Sequence, residues 1–148
     1  MELFRERLWP ALWWYPIIAL IIPATLLVFA AIDIFAGVVT SIALVGGAVA
    51  LLLGSAPTIR VADGTLFAGR ARIPVTFVGD ARIASGEEAR AERGTRLDAR
   101  AWLMLRGDVD PVVRVEITDP DDPAPYWLVS TRRPDELVAA LNTAKSAG

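Results

Sequence analysis

The chain has 148 residues, a net charge of −2, 54% hydrophobic residues, and neither cysteine nor histidine. This composition excludes thiolate nucleophiles, disulfides, imidazole bases, and zinc or haem sites built on His or Cys. All but one of the basic residues are Arg, as GC-rich codon usage would give, and charge is spread along the chain, which argues against a nucleic-acid partner.

Between Leu8 and Ile59 the only charged residue is Asp33. It separates two apolar runs, 9–32 and 34–56, each long enough as a helix to cross about 30 Å of hydrocarbon at 1.5 Å per residue. Residues 1–57 are therefore predicted to form an N-terminal tail and a two-helix transmembrane hairpin, with spans at about 10–32 and 34–56 and a turn at Asp33. A second run of equal length directly after the first argues against a cleaved signal peptide. Trp9, Trp13, Trp14 and Tyr15 suit an interfacial belt. Arg5 and Arg7 precede the first run, Arg60, Arg70 and Arg72 follow the second, and the turn has no basic residue. The positive-inside rule then places both termini in the cytoplasm of a multi-pass plasma-membrane protein. Asp33 belongs to an external turn on this reading, rather than to an ion path at depth.

Pro16 and Pro23 are expected to bend the first span. In the second, Gly37 with Ser41, Ala43 with Gly47, and Gly46 with Ala50 have the small-xxx-small spacing that lets helix backbones approach closely. The simplest use is packing within the hairpin, and the sharper one is a homodimer through the second span.

Residues 58–148 are predicted to form a cytoplasmic β-rich domain. Strands are expected at 58–62 and 65–69, joined by an Asp63-Gly64 turn, and then at 71–77, 80–84, 101–106, 112–118 and 126–131, seven in all. Residues 86–94 carry Glu87 to Arg90 and Glu92 to Arg96 spacings, which suit an exposed helical turn in a solvated connector. Pro134, Asp135 and Glu136 followed by Leu137, Val138 and Leu141 mark an amphipathic C-terminal helix over 134–146. The expected fold class is thus an α+β membrane protein, a transmembrane hairpin followed by a seven-stranded split β-barrel of pleckstrin-homology-like element order.

Particular strings carry a closer likeness. They are 5–9 (RERLW), 60–66 (RVADGTL), 69–74 (GRARIP), 97–103 (LDARAWL), 119–123 (DPDDP) and 125–134 (PYWLVSTRRP). Together they resemble an actinobacterial family of membrane proteins catalogued as domain of unknown function 3093, and the last string is the most specific. The resemblance implies an actinobacterial plasma membrane, and no catalytic residue can be carried over from it.

Three local patterns suggest sites. Gly64 to Gly69 has the spacing of a phosphate-binding loop, but Arg70 and Ala71 stand where Lys and Ser or Thr are needed. Asp119, Asp121 and Asp122 could ligate a hard cation, yet the intervening prolines favour a stiff turn, so no metal and no cofactor is expected. Tyr126, Trp127, Arg132 and Arg133 are the candidate contact residues for a protein partner or an anionic lipid. Against that stands a structural reading, in which alternate residues of the strand fill the core and the two Arg side chains bond carbonyls or pair with the 119–122 turn. The expected function is a membrane-anchored interaction or scaffolding module without catalysis. The alternatives are an accessory subunit of a transporter or envelope complex that binds through its spans, and a carboxylate-dependent enzyme at the membrane.

Overall fold

Residues 2–7 read Glu-Leu-Phe-Arg-Glu-Arg, and alternation turns Phe4 and Glu6 inward while Arg5 and Arg7 face out. In the computed structural model, which describes residues 1–147, this segment is strand β1 (Glu2–Arg7). It pairs with β2 (Thr58–Ala62), which pairs with β3 (Thr65–Ala68), which pairs with β4 (Ala71–Pro74), giving an antiparallel four-stranded sheet. The chain therefore divides into two units, Met1–Leu8 with everything from Pro57 onward, and Trp9–Ala56. The tail expected before the first span is a strand of the β-rich unit. It escapes a sequence reading because Glu6 stands on its core face and its partner lies beyond the whole apolar segment. Asp63 and Gly64 both have positive φ, 49° and 69°, as the predicted two-residue turn requires. The fourth strand stops at Pro74 and gives way to a 3₁₀ turn, Val75–Phe77, short of the predicted 71–77.

Within Trp9–Ala56, α1 (Trp14–Ala19) and α2 (Ile21–Phe29) are separated at Leu20, and α3 (Ile34–Gly54) follows. Pro23 cannot donate to the carbonyl of Ala19 and its ring crowds it, which accounts for the break. The first apolar run is thus not one continuous span-length helix. Among the described residues only α3 is long and apolar enough to cross a membrane, and just 11% of its apolar window is buried. Asp33 caps α3, its carboxylate accepting from the Phe35 and Ala36 amides at 2.8 and 3.4 Å. α2 and α3 pack on each other at Gly37, where an added Cβ would lie 2.8 Å from Cβ of Phe29.

The second sheet comprises β5 (Val78–Ala84), β6 (Trp102–Met104), β7 (Val112–Ile117) and β8 (Tyr126–Ser130), in the order β5-β7-β8-β6 with β6 parallel to β8. The described residues thus hold eight strands in two sheets rather than a seven-stranded set. α4 (Glu87–Arg93) lies between β5 and β6, and α5 (Pro134–Ser146) follows β8. Ile59, Val61 and Leu66 of the first sheet share one core with Val113, Val115 and Trp127 of the second and with Leu137 and Leu141 of α5. Ala89 of α4 and Leu128 belong to a smaller cluster with Val112 and Tyr126. Glu92 is buried as well, so the 86–94 segment covers β7 and β8 instead of running as a solvated connector.

Candidate functional site

β8 is the natural place to look for a site, because it opens the 126–134 string. All five of its residues are buried, since the sheet is covered on both faces. Trp127 and Val129 enter the main core, while Tyr126 and Leu128 enter the smaller cluster. The Tyr126 hydroxyl accepts from the Asp98 amide at 2.8 Å and donates to the Arg96 carbonyl at 3.3 Å. The Arg114 guanidinium sits 3.8 Å above the Tyr126 ring and pairs with Glu92 at 2.9 Å. Glu92 also pairs with Arg96 at 3.4 Å. Tyr126 and Trp127, each 3% exposed, present no contact surface, which corrects both the contact role and the expected alternation.

The exit of β8 is tied down by a residue that sequence reasoning did not single out. Glu6, 8% exposed on the core side of β1, accepts from the Thr131 hydroxyl and from the Arg132 amide, the latter at 3.0 Å. A buried carboxylate with two donors is a satisfied structural group. Its one sequence signal is an acid at an inward position of an alternating stretch. Arg132 reaches Asp108 at 2.9 Å, and Asp108 also lies 3.4 Å from Arg106. Arg133 forks onto Glu136 in the first turn of α5, and its guanidinium lies 5.4 Å from the Phe4 ring centre. The Arg133 hydrogen bond holds the Glu136 carboxyl below its usual range, and Glu136 in turn raises Arg133.

These two acids, Asp108 and Glu136, come from outside the 119–122 turn. Within that turn Asp119 and Asp122 accept from the amides of Asp121 and Ala124, at 3.0 and 2.8 Å, stiffening their own loop. Among the described residues no three His, Cys, Asp or Glu side chains come together as a metal site. Gly64 and Gly69 serve turns on either side of β3, with φ of 69° and 62°, and no helix follows the second as a phosphate loop would need.

In the apolar unit the six small residues separate. Gly37 and Ser41 are buried, the Ser41 hydroxyl donating to the Gly37 carbonyl at 2.9 Å. Ala43, Gly46, Gly47 and Ala50 are exposed, and a Cβ added at Gly46 or Gly47 would meet nothing within 4 Å. Packing within this unit therefore uses only the first of the three predicted pairs.

These features define a mixed α+β protein, with two sheets, a C-terminal helix and one helix able to span a membrane, whose buried polar groups hold the fold. The chain belongs to the family described as "Protein of unknown function (DUF3093)", whose profile matches residues 3–141. No curated protein and no solved structure matches it.

Proposed function

We propose that the chain is a membrane-anchored interaction or scaffolding module of the actinobacterial plasma membrane. A two-helix hairpin crosses the bilayer twice, and a pleckstrin-homology-like β-rich unit and both termini lie in the cytoplasm. The observation that carries this is the pairing of β1 with β2. Arg7 stands opposite Thr58, and the Leu8 amide donates to the Pro57 carbonyl at 3.0 Å. Both ends of 9–56 thus leave from neighbouring strands, about 4.8 Å apart. A segment held in this way crosses a bilayer an even number of times. If α3 crosses, the first apolar run crosses back.

The α1–α2 stretch, about 16 residues and roughly 24 Å long, is short of the hydrocarbon thickness. The apolar, Trp-rich residues 9–13 and modest local thinning make up the difference. Sidedness rests on the five Arg beside the ends of the segment and the absence of any basic residue at the turn. No catalytic step is part of the proposal, in keeping with a chain without His or Cys.

The test uses the absence of cysteine from the chain. Ala31→Cys leaves the Asp33 cap intact and should react with a membrane-impermeant thiol reagent in intact cells, whereas Ser146→Cys should react only after permeabilisation. The reverse pattern, or equal labelling of the two, overturns the topology.

A second reading, favoured by the exposed Ala43, Gly46, Gly47 and Ala50 face of α3, is that the spans bind another helix. That helix belongs to a second copy of the chain or to a larger transporter or envelope complex.

A further inference from the structure

Strand pairing gathers charge that is scattered in the sequence. Across the outer face of the β1–β4 sheet, Arg5 stands opposite Arg60, Arg60 opposite Phe67, and Phe67 opposite Arg72. Arg7 lies in the next outward row, opposite Thr58. Arg70 occupies the β3–β4 turn beside it, where the Gly69 amide donates to the Thr58 carbonyl at 3.0 Å. Four guanidiniums therefore share this sheet face, with Arg70 in the turn at the end where β1 and β2 run into the apolar segment. Glu6, between Arg5 and Arg7, faces the core, and the acids of the outer face lie toward its other end, with Glu2 opposite Ala62 and Asp63 in the far turn beside the terminal ammonium.

Folding alone does not favour this arrangement, because like charges directly opposite each other destabilise a sheet. The Arg60 guanidinium lies 4.4 Å from the Phe67 ring centre, and its nearest carboxylate, Glu2, is 4.0 Å away. Among the described residues Arg5, Arg70 and Arg72 make no ion pair.

We infer that this face docks on the anionic lipid headgroups of the leaflet at which the chain enters the bilayer. The inference rests on the membrane reading above and adds the surface and its ligand. Chain connectivity selects lipid over an acidic protein segment. The Arg5 row lies two residues, about 7 Å, from the Arg7 row along the strands, and Arg7 is two residues from the start of the apolar segment. A bilayer entered at Trp9 is thus presented to these charges at high effective concentration, the Arg7 row within about one Debye length at physiological salt and the Arg5 row within about two. The face is an open sheet surface, suited to headgroups read as point charges. Partly buried Phe67 adds an aromatic ring among the guanidiniums.

The test reconstitutes the full-length protein, labelled with a fluorophore at Thr65→Cys on the same face, into vesicles containing a spin-labelled quencher lipid. One set of vesicles is phosphatidylcholine alone and the other includes phosphatidylglycerol. Quenching should rise with phosphatidylglycerol and fall back at high salt. Arg60→Gln and Arg72→Gln should each lower the docked-to-undocked ratio roughly five-fold, while Arg60→Lys and Arg72→Lys keep it, because a point charge suffices. Arg5→Gln, on an edge strand, replaces either Gln variant if its near-UV circular dichroism departs from that of the parent.

Quenching that is indifferent to phosphatidylglycerol, Gln variants that dock like the parent, or Lys variants that fail like Gln would each overturn the assignment. Alkaline carbonate extraction of the same vesicles separates the two failures. Protein that stays with the lipid yet ignores phosphatidylglycerol refutes only the docking face, whereas protein that is extracted refutes the membrane reading and the docking face with it.

Discussion

The two units satisfy their polar groups in opposite ways. In Trp9–Ala56 the side-chain bonds of Thr25, Asp33, Ser41 and Ser55 all reach backbone within four residues. In the β-rich unit Glu6 bonds Thr131 across 125 positions, Tyr126 bonds Asp98 across 28, and Arg114 bonds Glu92 across 22. Under the membrane proposal such a segment has no water to fall back on, and local bonding leaves its outer surface free of polar demand. Leu27, Ile32, Phe35 and Leu51, each at least 74% exposed, complete such a surface. The β-rich unit instead stakes its fold on distant partners. Mutations should therefore be tolerated on the outside of the first unit and felt throughout the second.

The largest contrast is between Trp127 and Leu27. Trp127→Ala empties the main core and should lower the stability of the full-length protein in detergent micelles by about 3–5 kcal/mol. Leu27→Ala removes a comparably apolar but 80% exposed side chain, and its unfolding midpoint should hardly move. Equal losses for the two would erase the distinction between the outward residues of the apolar unit and core residues.

Glu6 and Ser41 sharpen the comparison at buried polar groups. Glu6→Ala strands the Thr131 hydroxyl and the Arg132 amide, for a loss of about 1–3 kcal/mol by denaturant titration. Ser41→Ala leaves the Gly37 carbonyl with its helical partner and should lose only about 0.6 kcal/mol. If the Ser41 variant proved the weaker of the two, local bonding in the apolar unit would matter more than its geometry implies.

Gly37 and Gly47 divide the small residues of α3. Gly37→Leu drives a side chain into Phe29 and should destabilise the arms by about 1–3 kcal/mol, seen as a lower disulfide yield between cysteines placed at Ile22 and Val45, which line one groove. Gly47→Leu points into open space and should leave that yield intact. A fall in intermolecular crosslinking with Gly47→Leu would support a helix partner on the outer face, and an unchanged yield would remove the second reading.

What the sequence discloses follows from the same difference. α3, the Asp33 turn, the Asp63-Gly64 hairpin and α5 each announce themselves through neighbours: an uninterrupted apolar run, a cap, two positive-φ residues, a proline at the start of a helix. β1 was hidden because strand identity there depends on pairing with residues 58–62 across the apolar segment. The Glu87 to Arg90 and Glu92 to Arg96 pairs were legible from spacing, but the burial of Glu92 depends on Arg114, which no local pattern connects to it. Arg132 and Arg133 were visible as a pair, and Glu136 lies only three residues from Arg133, while Asp108, the partner of Arg132, could be assigned only once the loops were placed.

The smallest expected effect concerns Arg133 with Glu136, which like Arg90 with Glu87 is a local, exposed ion pair and resembles the self-contained bonding of the apolar unit. Arg133 lowers the Glu136 carboxyl in the folded state, so the pair contributes stability at pH above the unfolded carboxyl value, about 4.3, and loses it as the pH falls through the lowered folded value. Glu136→Gln should shift the unfolding midpoint near neutral pH only slightly, because the pair is solvent-screened. The variant and the parent should then converge as the solution is acidified. Unfolding curves of the full-length protein followed from neutral to acid pH check this. A difference that persists unchanged into acid would mean that Glu136 acts through packing at the start of α5 rather than through its charge, and would remove the Arg133 fork from the groups that hold the helix on the sheets.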